Sequence, residues 1–189
     1  MNSFLSLITN RRSTRKFKEK LLEPEQVESI LKAALMAPTS KNAASWQFVV
    51  VEDTNTLRQL AGCKKQGASF LDGCTLAIIV LGDTSQSDVW VEDASIASIY
   101  MQLQAEDSGV GSCWCQVRNR LTEDGHQSEQ YVRELLDIPA QFGVLSIIGF
   151  GYKDQERKPL DESHLLWEKV HIGKFTTQPD ILLPQNFQA

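Results

Sequence analysis

The sequence predicts a mixed α and β domain, a sheet covered by helices, and two observations carry that expectation. Apolar residues at helical spacing alternate along the chain with short, nearly continuous apolar runs. The runs are also bounded by the residues that start and stop such elements. Phe4, Leu5, Leu7 and Ile8 give one or two helical turns. Pro24 opens the first clear helix, at a position where its missing N–H costs nothing, and Pro38 lies just past the end. Val27, Ile30, Leu31, Ala34 and Leu35 form one apolar face between them. Trp46 to Val51 reads as a strand, Leu57–Leu60 as part of a weaker helix, and Thr75 to Leu81 as a buried strand. A longer helix runs from about Asp88 to Asp107, with Ile96, Ile99, Tyr100 and Leu103 as a large apolar stripe and Ala94, Ala97 and Ser98 as small neighbours. Gly109 to Trp114 is a short strand entering a turn, Ser128 to Leu136 a helix, and Val144 to Phe150 a second buried strand. Leu165, Leu166, Trp167 and Val170 suggest a short amphipathic piece, and the proline-bearing residues 176–189 an extended arm.

Length and composition narrow the function. A chain of 189 residues with 42% hydrophobic content makes one domain, or one with a small appendage, and can bury a sizeable core. A formal net charge of −5 argues against general nucleic-acid binding, which needs a broad basic face. No apolar run is long enough to span a membrane, and the N-terminus lacks the apolar core of a signal peptide, so a cytoplasmic protein is expected. Cys63, Cys74, Cys113 and Cys115 show no CxxC or histidine-paired spacing. They read as reduced core thiols, with no metal site expected. The dinucleotide fingerprint G-x-G-x-x-G and the P-loop pattern are both absent.

Against this acidic background, Arg11-Arg12-Ser13-Thr14-Arg15-Lys16-Phe17 stands out. Three guanidiniums, one ammonium and two hydroxyls are contiguous, and the planar fork of Arg fits a phosphate bidentately. The stretch is a candidate anion site for a phosphorylated ligand; a solvated basic turn is the plainer alternative.

The pattern Arg11-Arg12-Ser13-x-Arg15-x-Phe17, followed by Ala37-Pro38-Thr39-Ser40-x-Asn42-x-x-x-Trp46 and by Gly109–Trp114, resembles the nitroreductase family in order and spacing. The resemblance covers roughly Phe4 to Phe175. It implies an α+β fold, a three-layer α/β/α sandwich with a central mixed sheet flanked by helices. A single domain over residues 1–175 and an extended C-terminal arm over 176–189 complete it. It also implies flavin mononucleotide (FMN) at the interface of an intertwined homodimer. Two departures from the family pattern are Ala44-Ser45, where Gln-Pro commonly precedes the Trp, and Arg157-Lys158-Pro159-Leu160, which matches the late basic pair only in part.

By this resemblance, Arg11, Ser13 and Lys158 meet the FMN phosphate, with Arg12 there or at the ribityl hydroxyls. Pro38, Thr39, Ser40 and Asn42 form a loop that reaches the partner's flavin, and Asn42 and Gln66 suit the pyrimidine edge, since amides both donate and accept. Arg15 faces the region of N1, where a cation favours reduced flavin. Gln116 and Val117 lie on the turn that offers a backbone donor to N5. No side chain is expected to act as nucleophile or proton donor, and the three scattered histidines receive no role. The implied function is an oxidoreductase passing hydride from NAD(P)H through the flavin to an electron-poor small molecule, a nitroaromatic, quinone or similar, by ping-pong kinetics. Two other classes stay open: a flavin store or sensor without turnover, and a colourless protein using Arg11–Lys18 to dock an acidic partner or nucleic acid.

Overall fold

A computed structural model describes residues 3–175. The expected arm over 176–189 lies outside the described residues. The chain divides into two compact units, Met1–Lys158 and Pro159–Ala189.

The first unit carries five α-helices and four strands among the described residues: α1 (Phe4–Asn10), α2 (Pro24–Leu35), β1 (Trp46–Val51), α3 (Thr54–Ala61), β2 (Leu76–Asp83), α4 (Trp90–Asp107), β3 (Val110–Gln116), α5 (Ser128–Leu135) and β4 (Phe142–Tyr152). The strands form one sheet in the order β1-β2-β4-β3. Every ladder in it is antiparallel. The parallel part of the expected mixed sheet is a single bridge, Ser13 to Ser112. Helix ends follow local chemistry. Asp53 caps α3 by accepting from the Thr56 N–H at 2.8 Å. Glu23 and Gln26 form a capping box around Pro24.

Residues alternate sides along β2 and so feed two cores. Ala77, Ile79 and Leu81 pack with Leu57 and Leu60 of α3 and Val132 of α5. Leu76, Ile78 and Val80 pack with Ile30 and Ala34 of α2 and Ala94 and Met101 of α4. Helices therefore cover both faces of the sheet, in three layers.

Helix α4 meets the sheet through its small side. Ala94, Ala97, Ser98, Met101 and Ala105 are buried, while Ile99 and Tyr100 are 39% and 40% exposed. The stripe that stands out by size faces outward, because the smaller residues allow the closer approach to the strands. Tyr100 and Leu103 instead line a groove of about 500 Å³ with Phe4, Leu7 and Ala33. Nearby on α1, Phe4 is 67% exposed.

Two glycines shape the end of the sheet. Gly82 and Gly143 face each other in the β2–β4 ladder, and the Trp90 indole fills the space over both. A Cβ at Gly82 would lie 2.5 Å from the ring, and one at Gly143 2.6 Å. The second unit, over its described residues, has 3-10 turns at Glu162–His164 and Trp167–Lys169 where a short amphipathic piece is expected. Asp161 caps the first by accepting from the Ser163 N–H. No helix among the described residues is long and apolar enough to cross a membrane.

Candidate functional site

The basic stretch is laid along β3. Arg11 ends α1, donating its N–H to the Leu7 carbonyl at 3.0 Å. The next residues are extended, and Thr14 N–H donates to Ser112 O at 2.9 Å. Further on, Lys18 N–H donates to Tyr152 O and Asp154 N–H to Lys16 O. The seat for this segment is made by glycines. Gly111 and Gly151 are partners in the β3–β4 ladder. A Cβ at Gly111 would lie 2.8 Å from Thr14 Oγ1, and one at Gly151 2.9 Å from Phe17 Cδ1. Thr14 is buried and Phe17 half-buried. In an extended segment Ser13 and Arg15, on either side of Thr14, point the other way from it. Both act on Cys113 of β3: burial pushes that thiol up, opposed first by the charge of Arg15 and then by a hydrogen bond with Ser13. Arg12 Nη1 donates to the Lys158 carbonyl, so the two distant basic segments meet.

Farther along the strand, Cys115 lies beside Cys63 and Lys64. The hydrogen bond between the thiols pushes Cys63 up, with burial adding to it. All four cysteines are free and buried. Beyond Cys115 comes the turn at Gln116 and Val117. Val117 N–H is engaged, donating to Leu145 O at 3.1 Å. Backbone N–H and C=O groups alternate sides along a strand. Since Ser112 O turns to the open edge, where it accepts from Thr14, Gln116 at the same parity turns its N–H to that edge as well. Of the two turn residues, Gln116 therefore holds the available donor. Its side chain is fixed between Trp114 Nε1, from which it accepts at 3.0 Å, and Arg118 O, to which it donates at 3.1 Å. Gln66 shares a cleft with Asn119 and Arg120, two and three residues past Val117.

The fold thus brings Arg11, Arg12, Ser13, Arg15 and Lys158 together near one end of the open edge of β3, with Gln66, Gln116 and Val117 at the other end. The loop of Pro38, Thr39, Ser40 and Asn42 goes elsewhere. It precedes β1, the opposite edge of the sheet. Ser40 N–H donates to the buried Asp93 of α4 at 2.9 Å, and Thr39 Oγ1 accepts from Ala44 N–H at 3.0 Å. Asn42 is exposed, with a φ of 55°. Three inter-strand spacings, about 14 Å, separate the two edges.

Lys64, Lys65 and Arg120 were not marked by the sequence pattern, although they join this neighbourhood. The available signal was two basic pairs, Lys64-Lys65 and Arg118-Asn119-Arg120, in an acidic chain.

The glycine seat gives a first test of the geometry. Gly111→Ala puts a methyl 2.8 Å from both Thr14 Oγ1 and Lys153 Cγ. Overpacking of this kind costs about 1–3 kcal/mol. The expected result is a lower melting temperature together with faster hydrogen exchange at the Thr14 amide, whose acceptor Ser112 lies on the strand being crowded. Unchanged protection at Thr14 would show that Gly111 is not its seat.

The fold and sequence are shared with known proteins. The model of the "Nitroreductase family" matches residues 8–68 and 63–152. A solved structure of an FMN-dependent nitroreductase from Clostridium difficile R20291 superposes with a TM-score of 0.89, at 45% identity over 91% of this chain and 100% of that one. A protein of Archaeoglobus fulgidus, provisionally named an NADH dehydrogenase/NAD(P)H nitroreductase, is 34% identical over 161 residues, 83% of this chain and 89% of its own. An FMN reductase (NADPH) of Bacillus subtilis is 29% identical over 170 residues, 79% of this chain and 64% of its own. The chain belongs to the nitroreductase family.

Proposed function

We propose that this protein is an FMN-dependent oxidoreductase that takes hydride from NAD(P)H and passes it to an electron-poor small molecule by ping-pong kinetics. The observation that carries the reading is the open edge of β3, which holds a segment of cations and hydroxyls alongside it and turns the Gln116 N–H outward. The relatives named for FMN and NAD(P)H support it.

The donor set fits the parts of FMN. Arg11, Ser13 and Lys158 supply charge and hydroxyl for a phosphate dianion. Arg12 ties Lys158 to that group through its bond to the Lys158 carbonyl. Gln66 offers an amide to the pyrimidine edge. Arg15 puts a cation where negative charge collects on reduction, and the N–H of Gln116 is the donor toward N5. Bound FMN supplies reversible hydride chemistry; the chain supplies orientation and electrostatics.

The unit we propose is a homodimer with composite sites. Pro38, Thr39, Ser40 and Asn42 lie at the far edge of the sheet from Arg11 and Ser13. A second copy brings its own Asn42 loop to the flavin held by the first. The outward Ile99 and Tyr100 of α4 and the exposed Phe4 and Leu5 of α1 are the apolar surface such an interface covers.

The direct test is anaerobic mixing of the purified yellow protein with NADPH or NADH. Loss of the oxidised-flavin absorbance, and its return on adding a quinone or nitroaromatic, is the expected result. Flavin that stays oxidised with either donor would instead identify a store or sensor. Arg15→Gln should keep the flavin but lower its midpoint potential by roughly 30 mV, the equivalent of one charge-assisted hydrogen bond favouring the reduced form. An unmoved potential in a flavin-loaded variant would remove Arg15 from this role.

A further inference from the structure

The cleft beside the flavin edge is built from cations. Lys64, Lys65, Gln66, Asn119, Arg120 and Leu121 line a space of about 510 Å³, inside the range of small-molecule sites. Its walls come from two segments more than fifty residues apart and are fastened by the backbone. Lys65 N–H donates to Leu121 O at 2.9 Å, and Ser128 N–H to Arg120 O at 2.9 Å. Arg120 N–H donates to Val117 O at 3.1 Å, closing a turn in which Asn119 takes a φ of 58°. Arg120 Nη1 donates to Asn119 O, which steers the guanidinium along the wall.

Two facts make this clustering of charge informative. The whole chain carries a net charge of −5, so its average field repels an anionic ligand. Among the described residues, the ion pair in the cleft joins Lys65 to Glu123 at 3.8 Å, with the side chains 63% and 72% exposed. A pair that long and that wet is worth little and yields readily to a better anion. Among the described residues neither Lys64 nor Arg120 pairs with a carboxylate, and Lys64 lies against the Cys115 thiol.

We propose that this cleft binds the 2′-phosphate of the dinucleotide donor and thereby makes the protein prefer NADPH to NADH. The inference rests on the oxidoreductase reading above. A donor whose nicotinamide lies against the flavin near Gln116 must lead its ribose, diphosphate and adenosine away from that point. The turn from Val117 to Arg120 starts there and supplies Asn119 and Arg120 to the cleft. A phosphate monoester dianion is well matched by one guanidinium fork and two ammoniums. NADH has a hydroxyl in that place and gains little from three cations.

The test uses the flavin-loaded protein. In calorimetry, adenosine 2′,5′-bisphosphate is expected to bind roughly ten-fold or more tightly than adenosine 5′-monophosphate, since one charge-assisted contact alone accounts for about that factor. The double variant Lys65→Ala, Arg120→Ala should abolish the difference while keeping its flavin and its melting temperature. Lys65→Arg should retain it. In turnover, the double variant should raise KM for NADPH roughly ten-fold or more and leave kcat and the KM for NADH in place. Equal binding of the two nucleotides to wild type would overturn the proposal. So would a parallel rise in KM for both donors, which would move the contact to the diphosphate, or loss of flavin from the double variant, which would assign the cleft to the flavin itself. Failure of the oxidoreductase reading looks different: neither donor reduces the flavin, whatever the calorimetry gives.

Discussion

Arg11→Ala is expected to bind FMN roughly ten- to a hundred-fold more weakly than wild type, the value of one charge-assisted hydrogen bond to a phosphate. Arg11 ends α1 and begins the segment seated on Gly111 and Gly151, so its guanidinium is delivered by fixed backbone on both sides. Removing the side chain leaves that backbone intact, which confines the loss to the ligand. Ser13→Ala should cost less, because a neutral hydroxyl contributes about 1 kcal/mol. Flavin content after extensive dialysis, and titration of the resulting apoprotein with FMN, measure both. Equal retention by wild type and Arg11→Ala would separate the basic segment from the cofactor.

Mixed dimers should then show whether the site is shared. On the proposed composite site, Arg11→Ala damages the phosphate end of its own chain's site, and Asn42→Ala the loop that would reach its partner's. In a heterodimer of the two variants both defects fall in one site. The other site is native, because it takes Arg11 from one chain and Asn42 from the other. Two nearly inactive preparations should therefore recover activity on mixing, toward half that of wild type for each heterodimer, once subunits exchange. Confirmed heterodimers without recovery, or a monomer with full turnover, would refute composite sites.

Much of the fold was legible because its signals are local. The apolar runs at Thr75–Leu81 and Val144–Phe150 found β2 and β4, and Pro24 marked the start of α2. What escaped is nonlocal. The order β1-β2-β4-β3 leaves no periodic trace, since β3 pairs with a strand that follows it after an intervening helix. The large stripe of α4 is ambiguous by itself, because how closely a helix nears a sheet, and not residue size alone, decides which side faces in. Only the small residues Ala94, Ala97 and Ala105 let it come near.

The site divides the same way. Arg11, Ser13 and Arg15 fall within one five-residue stretch and could be read as a motif. Choosing Gln116 over Val117 as the free donor needs the ladder parity, which depends on where Thr14 and Leu145 bond. The meeting of Lys64 and Lys65 with Arg120 depends on a backbone bond from Lys65 to Leu121. No spacing rule in a single sequence reports such a bond.

The tryptophan over Gly82 and Gly143 restricts how this chain can diverge. A methyl at either glycine meets the indole at 2.5 or 2.6 Å. Shrinking Trp90 first leaves a void costing about 3–5 kcal/mol, a large part of a typical domain's stability. Each change is harmful alone and tolerable only after another has occurred, so the three positions form an epistatic set. In descent they should be replaced together or kept together. An isolated alanine at position 82 or 143 beside a retained tryptophan should be rare among functional variants in a saturation library.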